Sequence, residues 1–132
     1  MTRVGLIVPS SNTTMEPEFC EALRGLASVH TARVLLEHVN VAELETMEDE
    51  ALREARKLTT AEVDLIVYGC TSGSFVKGGK QYLEIEERIE EETGIPCVAT
   101  SGAVVRALKH VGAKRVSLIT PYIREITELE KC

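Results

Sequence analysis

The sequence predicts an α/β protein: a three-layer α/β/α sandwich around a mainly parallel sheet of four to five strands. Short Val- and Ile-rich runs alternate along the chain with stretches of helical apolar spacing. The connections between the runs are too long for hairpins and suit right-handed crossovers. The 132 residues also suit one domain, which takes roughly 100–200.

The first strand is expected over residues 4–8, buried on both faces as parallel strands are. Met15, Phe19, Leu23 and Leu26 then recur at helical spacing, and Pro17 in the first turn favours Thr14 over Thr13 as N-cap. A second strand over 34–39 leads to a helix over 48–60 with Leu52, Ala55 and Leu58 on its apolar face. After a third strand over 65–68, a helix over 81–93 presents Glu86, Glu87, Glu90, Glu91 and Glu92 as a solvated face and ends at Gly94. A strand over 95–99, a helix over 102–111 closed by Gly112, a strand over 116–119 and a helix from about Ile123 complete the pattern. Five strands in this arrangement resemble the flavodoxin-like order 2-1-3-4-5.

Composition narrows the function. Fifteen Lys and Arg against 21 Asp and Glu leave a net charge of −6, which gives no footprint for nucleic acid or an anionic membrane. Two Phe, three Tyr and no Trp require an aliphatic core. With neither a membrane-length apolar run nor a signal-peptide layout at Met-Thr-Arg-Val-Gly, a cytoplasmic protein is expected. Cys20, Cys70, Cys97 and Cys132 form no CxxC pair and show no metal-ligand spacing, so neither disulfides nor a metal site is expected. His30, His38 and His110 read as structural residues.

Ligands of open parallel sheets sit outside the carboxyl ends of the strands. Here those segments are small, hydroxylic and uncharged: 9–14, 69–74, 100–102 and 120–122. In any one loop such residues serve as turn and cap residues. Four together on one edge point to backbone N–H cradles for a small anion. Neither GxGxxG nor GxxxxGK[ST] occurs, which disfavours a dinucleotide or a P-loop site. Cys70 directly follows the third strand, in a setting expected to favour thiolate, so it reads either as a nucleophile or as core packing. Cys97 and Cys20 read as core fillers.

Three ordered motifs carry a resemblance. Val4-Gly5-Leu6-Ile7-Val8-Pro9-Ser10-Ser11-Asn12-Thr13-Thr14-Met15-Glu16-Pro17-Glu18, then Tyr68-Gly69-Cys70-Thr71-Ser72-Gly73-Ser74, then Thr120-Pro121-Tyr122 resemble the maleate cis-trans isomerase family of the aspartate/glutamate racemase superfamily. The resemblance covers that family's first lobe and the entry into its second. It implies residues 1–113 as the lobe carrying the nucleophile, and 114–132 as the start of a second lobe or the last strand and helix of a single domain. It further implies Cys70 as nucleophile, Asn12 as holder of a substrate carboxylate, Tyr122 lining the site, and Ser10, Thr71 and Ser72 as further donors. Arylmalonate decarboxylase, a near relative, has Gly where Cys70 stands, which favours the isomerase branch.

The implied reaction is conversion of maleate to fumarate through a thiol adduct, with no cofactor and no metal. The implied partners are a small dicarboxylate substrate and either a second copy or a partner lobe. The alternative is a non-catalytic anion-binding lobe or a truncated fragment of a racemase-like or decarboxylase-like protein.

Overall fold

In a computed structural model, which describes residues 1–77 and 81–131, the chain folds around a four-stranded parallel sheet of order β2-β1-β3-β4. The elements are β1 (Thr2–Pro9), α1 (Met15–Ala22), β2 (Ala27–Val34), α2 (Val41–Thr59), β3 (Leu65–Tyr68), a 3-10 turn (Ser72–Ser74), α3 (Gln81–Thr93), β4 (Cys97–Ala99), α4 (Thr100–His110) and α5 (Arg124–Glu130). β1 is central, pairing Val4 with Val29 on one side and with Leu65 on the other. All ladders are parallel, so the loops after β1, β3 and β4 emerge at one edge.

Alternation along β1 divides the core into two layers. Val4, Leu6 and Val8 pack with Val67 against Met15, Phe19 and Leu23 on the α1 side. Ile7 faces the opposite layer, where Leu44, Met47, Ala51 and Ala55 of α2, Ile85 and Ile89 of α3, and Ile126 of α5 meet Ile66 and Tyr68. Gly5 lets α2 approach the sheet, because a Cβ there would lie 2.9 Å from Leu58 Cδ1. Glu48 of α2 is buried and accepts from both Lys77 Nζ and Arg88 Nη1, tying α2 to α3 and to the segment after the 3-10 turn. Within the same knot Lys77 N donates to Gln81 Oε1 at 2.7 Å.

Several expected boundaries move. The second strand is 27–34, not 34–39. It lies at the sheet edge, half-buried along most of its length, so its Ser, His, Thr and Arg residues break the apolar run that marks a central strand. The apolar residues that follow it serve a loop, where Leu36 joins the core. α1 stops at Ala22, before Leu23 and Leu26. Thr14 occupies its N-cap position without capping through its side chain, and Asn12 Oδ1 accepts instead from Thr14 N and Met15 N at 3.0 and 2.9 Å. α2 begins seven residues before the expected Glu48, at Val41, because Asn40 Oδ1 accepts from Glu43 N at 2.9 Å while Glu43 caps Glu37 N and His38 N in return.

α3 matches its expected span, with Gly94 at φ 70° beyond its end. Its acidic face is not uniformly solvated: Glu86 is buried, accepting from Ala99 N at 2.7 Å and pairing with Arg106 at 2.9 Å. No strand forms over 116–119, where Val116 and Ile119 are 62% and 93% exposed, because the segment meets no ladder partner. Ile126 of α5 is fully buried. Cys20 is exposed rather than a core filler, and Cys132 lies outside the described residues.

Candidate active site

The loops after β1 and β3, together with Thr100 and Tyr122, line an open cavity of about 270 Å³ at the carboxyl edge of the sheet. Its polar lining includes Asn12, Cys70, Thr71, Ser72 and Tyr122; Leu36 and Val39 form part of an apolar wall. Ser10 lies outside this lining, and its Oγ accepts from Leu36 N at 3.0 Å, holding the wall in place.

Asn12 sits in a turn that its own side chain makes. Both recorded bonds to Oδ1 come from the start of α1, so the amide orientation is set and Nδ2 keeps two N–H donors outside the turn. Arg33 of β2 braces the same loop, with Nη1 donating to Asn12 O at 2.8 Å and to Ser10 O at 3.3 Å, and Nη2 pairing with Glu16 at 2.6 Å. The Arg33 bond holds the Glu16 carboxyl below its ordinary range. Sequence reasoning missed Arg33, because one Arg in a polar strand carries no pattern. Leu36 and Val39 were legible only as apolar residues, not as a cavity wall.

The β3 loop is tightly wound. Gly69 N donates to Ile7 O at 2.7 Å, and a Cβ on Gly69 would lie 2.5 Å from Met15 Sδ and 3.0 Å from Ile7 O, so a larger residue would push the Met15 thioether aside and crowd the strand. The chain then turns so that Gly73 N donates to Cys70 Sγ at 3.3 Å, with Ser72 Oγ at 3.9 Å. Ser74 Oγ and Ser101 Oγ, 2.6 Å apart, join this loop to the start of α4, while Thr100 Oγ1 donates to Tyr68 O at 3.0 Å.

Cys70 is 4% exposed. Burial pushes its thiol up, partly offset by the Gly73 N–H and Ser72, which corrects the expectation of a ready thiolate. Cys97 is pushed up to about 12, by burial first and then by the charges of Glu86 and Glu90, and belongs to the core. Half-buried Tyr122 meets Phe75 edge-on at a centroid distance of 6.3 Å, and its phenol interacts with Ser72 and Thr71. Burial raises the Tyr122 phenol, with Glu130 and Cys70 adding to the effect. Among the described residues no group of three or more His, Cys, Asp or Glu could hold a metal ion, and no helix is long and apolar enough to cross a membrane.

A parallel lobe with donor loops after its first strand and a cysteine turn after its third is the aspartate/glutamate racemase type of α/β lobe. The arylmalonate decarboxylase family model matches residues 4–130, and the chain belongs to that family. The maleate isomerase of Pseudomonas putida is 34% identical over 96% of this chain and 56% of its own length. That of Geobacillus stearothermophilus is 32% identical over 95% and 55%. The chain thus spans about half the length of these curated relatives. A cysteine-to-alanine variant of the Pseudomonas putida isomerase, solved with maleate, superposes with a TM-score of 0.90 at 33% identity, over 98% of this chain and 56% of that one. A cysteine-to-serine mutant of Nocardia farcinica maleate cis-trans isomerase, with a covalently bound succinylcysteine intermediate, superposes at 0.88 with 28% identity, over 98% and 56%. The cysteine chemistry is therefore seen in a structural neighbour.

Proposed function

We propose that the chain carries the nucleophile half of a cofactor-independent maleate cis-trans isomerase site. The observation that carries the reading is the cavity in which the Cys70 turn meets the Asn12 turn and Tyr122. Cys70, once its proton has passed to solvent, adds through Sγ to one alkene carbon of maleate; a C–S bond forms and the π pair moves toward the far carboxylate. The former double bond is then single and rotates. Return of the electron pair expels the thiolate and leaves fumarate, so atoms and electrons balance without an oxidant or reductant.

Each side chain has a physical role in this scheme. Asn12 Nδ2 offers donors to a substrate carboxylate, and Thr71, Ser72 and Tyr122 surround the carbon that gains charge. A donor well placed on developing charge contributes about 3–4 kcal/mol in comparable sites. The buried thiol reacts only when something favours its thiolate, and a cavity closed from water by a second lobe or a second copy would strengthen every donor in it. The proposed division is residues 1–113 as the lobe carrying the nucleophile, with 114–132 as the start of a second lobe whose helix packs Ile126 back into this core.

A second reading, an anion-binding lobe without turnover, is favoured by the burial-raised Cys70 thiol. Proton NMR of maleate incubated with the full chain separates the two. Growth of fumarate that disappears with Cys70→Ser, and a mass gain of one maleate on Cys70, support the isomerase. Dicarboxylate binding without either signal supports the lobe.

A further inference from the structure

The nucleophile turn contains a buried group that the reaction above leaves idle. Tyr68, the last residue of β3, is 1% exposed, and its Oη has no hydrogen-bond partner among the described residues. Buried hydroxyls are nearly always paired, so an orphan calls for an explanation. Gly73 locates it: a Cβ added there would lie 2.7 Å from Tyr68 Oη and 3.0 Å from Cys70 Sγ. The hydroxyl and the sulfur therefore converge on one bare flank of Gly73, with no side chain between them.

The charged surroundings narrow its choice of partner. From α2, Glu48 faces the phenol, but its two oxygens already accept from Lys77 and Arg88. From β4 comes Cys97, itself beside Glu86 and Glu90, with Arg106 paired to Glu86. Burial pushes the Tyr68 phenol well up first, and a thiolate at Cys70 would add more to this than Glu48 or Cys97; Tyr122, Ser72 and the Gly73 N–H surround the sulfur otherwise.

We propose that Tyr68 is a positioning residue for Cys70, its hydroxyl being the donor that turns onto Sγ when the sulfur becomes a thiolate. A thiol sulfur is a weak acceptor and a thiolate a strong one, so the orphan hydroxyl burdens the resting form and is satisfied in the reactive form. Tyr68 thereby opposes the burial that disfavours ionisation at this position. The inference deepens the reading of Cys70 as nucleophile and rests on it.

The test uses the full chain with isotope-labelled cysteine, following the Cβ NMR resonance of Cys70, assigned with Cys70→Ser, through the alkaline range. Tyr68→Phe removes one oxygen and keeps the ring. The expected result is a titration midpoint higher by about one unit, equivalent to about tenfold less thiolate at a given pH below it, with an unchanged or higher melting temperature because an unpaired buried hydroxyl has gone. An unchanged midpoint overturns the proposal. So does a raised midpoint accompanied by a lowered melting temperature and widespread shifts of backbone amide resonances, which would mark an ordinary packing role. The titration needs no turnover, so maleate conversion surviving Cys70→Ser would remove the nucleophile reading through a separate measurement.

Discussion

Asn12 divides its side chain between protein and cavity. Oδ1 holds the first turn of α1, and Nδ2 carries the donors that would meet a carboxylate. Asn12→Asp separates the two roles, because Asp also caps well while turning donors into a repelling acceptor. Its thermal stability is expected to stay within about 0.5 kcal/mol of the parent, and calorimetry should find maleate binding weaker by about tenfold or more. At Cys70, burial disfavours the thiolate, so limiting iodoacetamide at neutral pH is expected to label exposed Cys20 first. Peptide mapping checks the order, and Cys70 labelling should climb steeply as pH rises. The Cys70 turn was legible from the small, hydroxylic run that directly follows an apolar strand, although the cysteine itself also read as core packing. Its burial was not, since Gly73 and Tyr68 close over the sulfur only once the turn is wound.

At the level of elements, legibility followed the number of independent signals. α3 showed helical spacing and a glycine stop, and both its ends were readable. β2 showed neither alternation nor an apolar run, because an edge strand with one paired side need not be apolar. The start of α2 was written in Asn40 and Glu43, a reciprocal cap three residues apart. Asn40→Ala should lower stability by about 1 kcal/mol in urea unfolding.

Glu48 gives this layer its pH dependence. Burial pushes its carboxyl up, yet the bonds from Lys77 and Arg88 outweigh burial and hold it below the ordinary range. A group depressed on folding adds stability above its unfolded pKa and loses it as pH falls through the folded value. Glu48→Gln is therefore expected to cost about 1–3 kcal/mol at neutral pH and to flatten the loss of stability on acidification. Urea midpoints measured across the acid range would show the two curves converging at low pH.

For the whole molecule, much apolar surface is left open around α4. A groove between α1 and α4 is floored by Leu65, Val67 and Val98, and Leu118 and Ile119 stand exposed beyond α4. Such surface favours a symmetric pairing of copies when no other lobe covers it. Sedimentation of the full chain at tens of micromolar is expected to give a dimer, and a compact monomer would count against that pairing.

The central place of β1 has a consequence for biosynthesis. This strand leaves the ribosome before either of its neighbours, yet Val4 pairs with Val29 and Leu65, on opposite sides. Until β3 is translated, one edge of an apolar strand stays open, and the layer over Ile7 lacks Ile66 and Tyr68. Parallel pairing across long crossovers is slow to form. The nascent chain is thus expected to be a client for holding chaperones at least until the Cys70 turn has emerged, the segment that covers the open edge of β1 and brings the sulfur to the Asn12 turn.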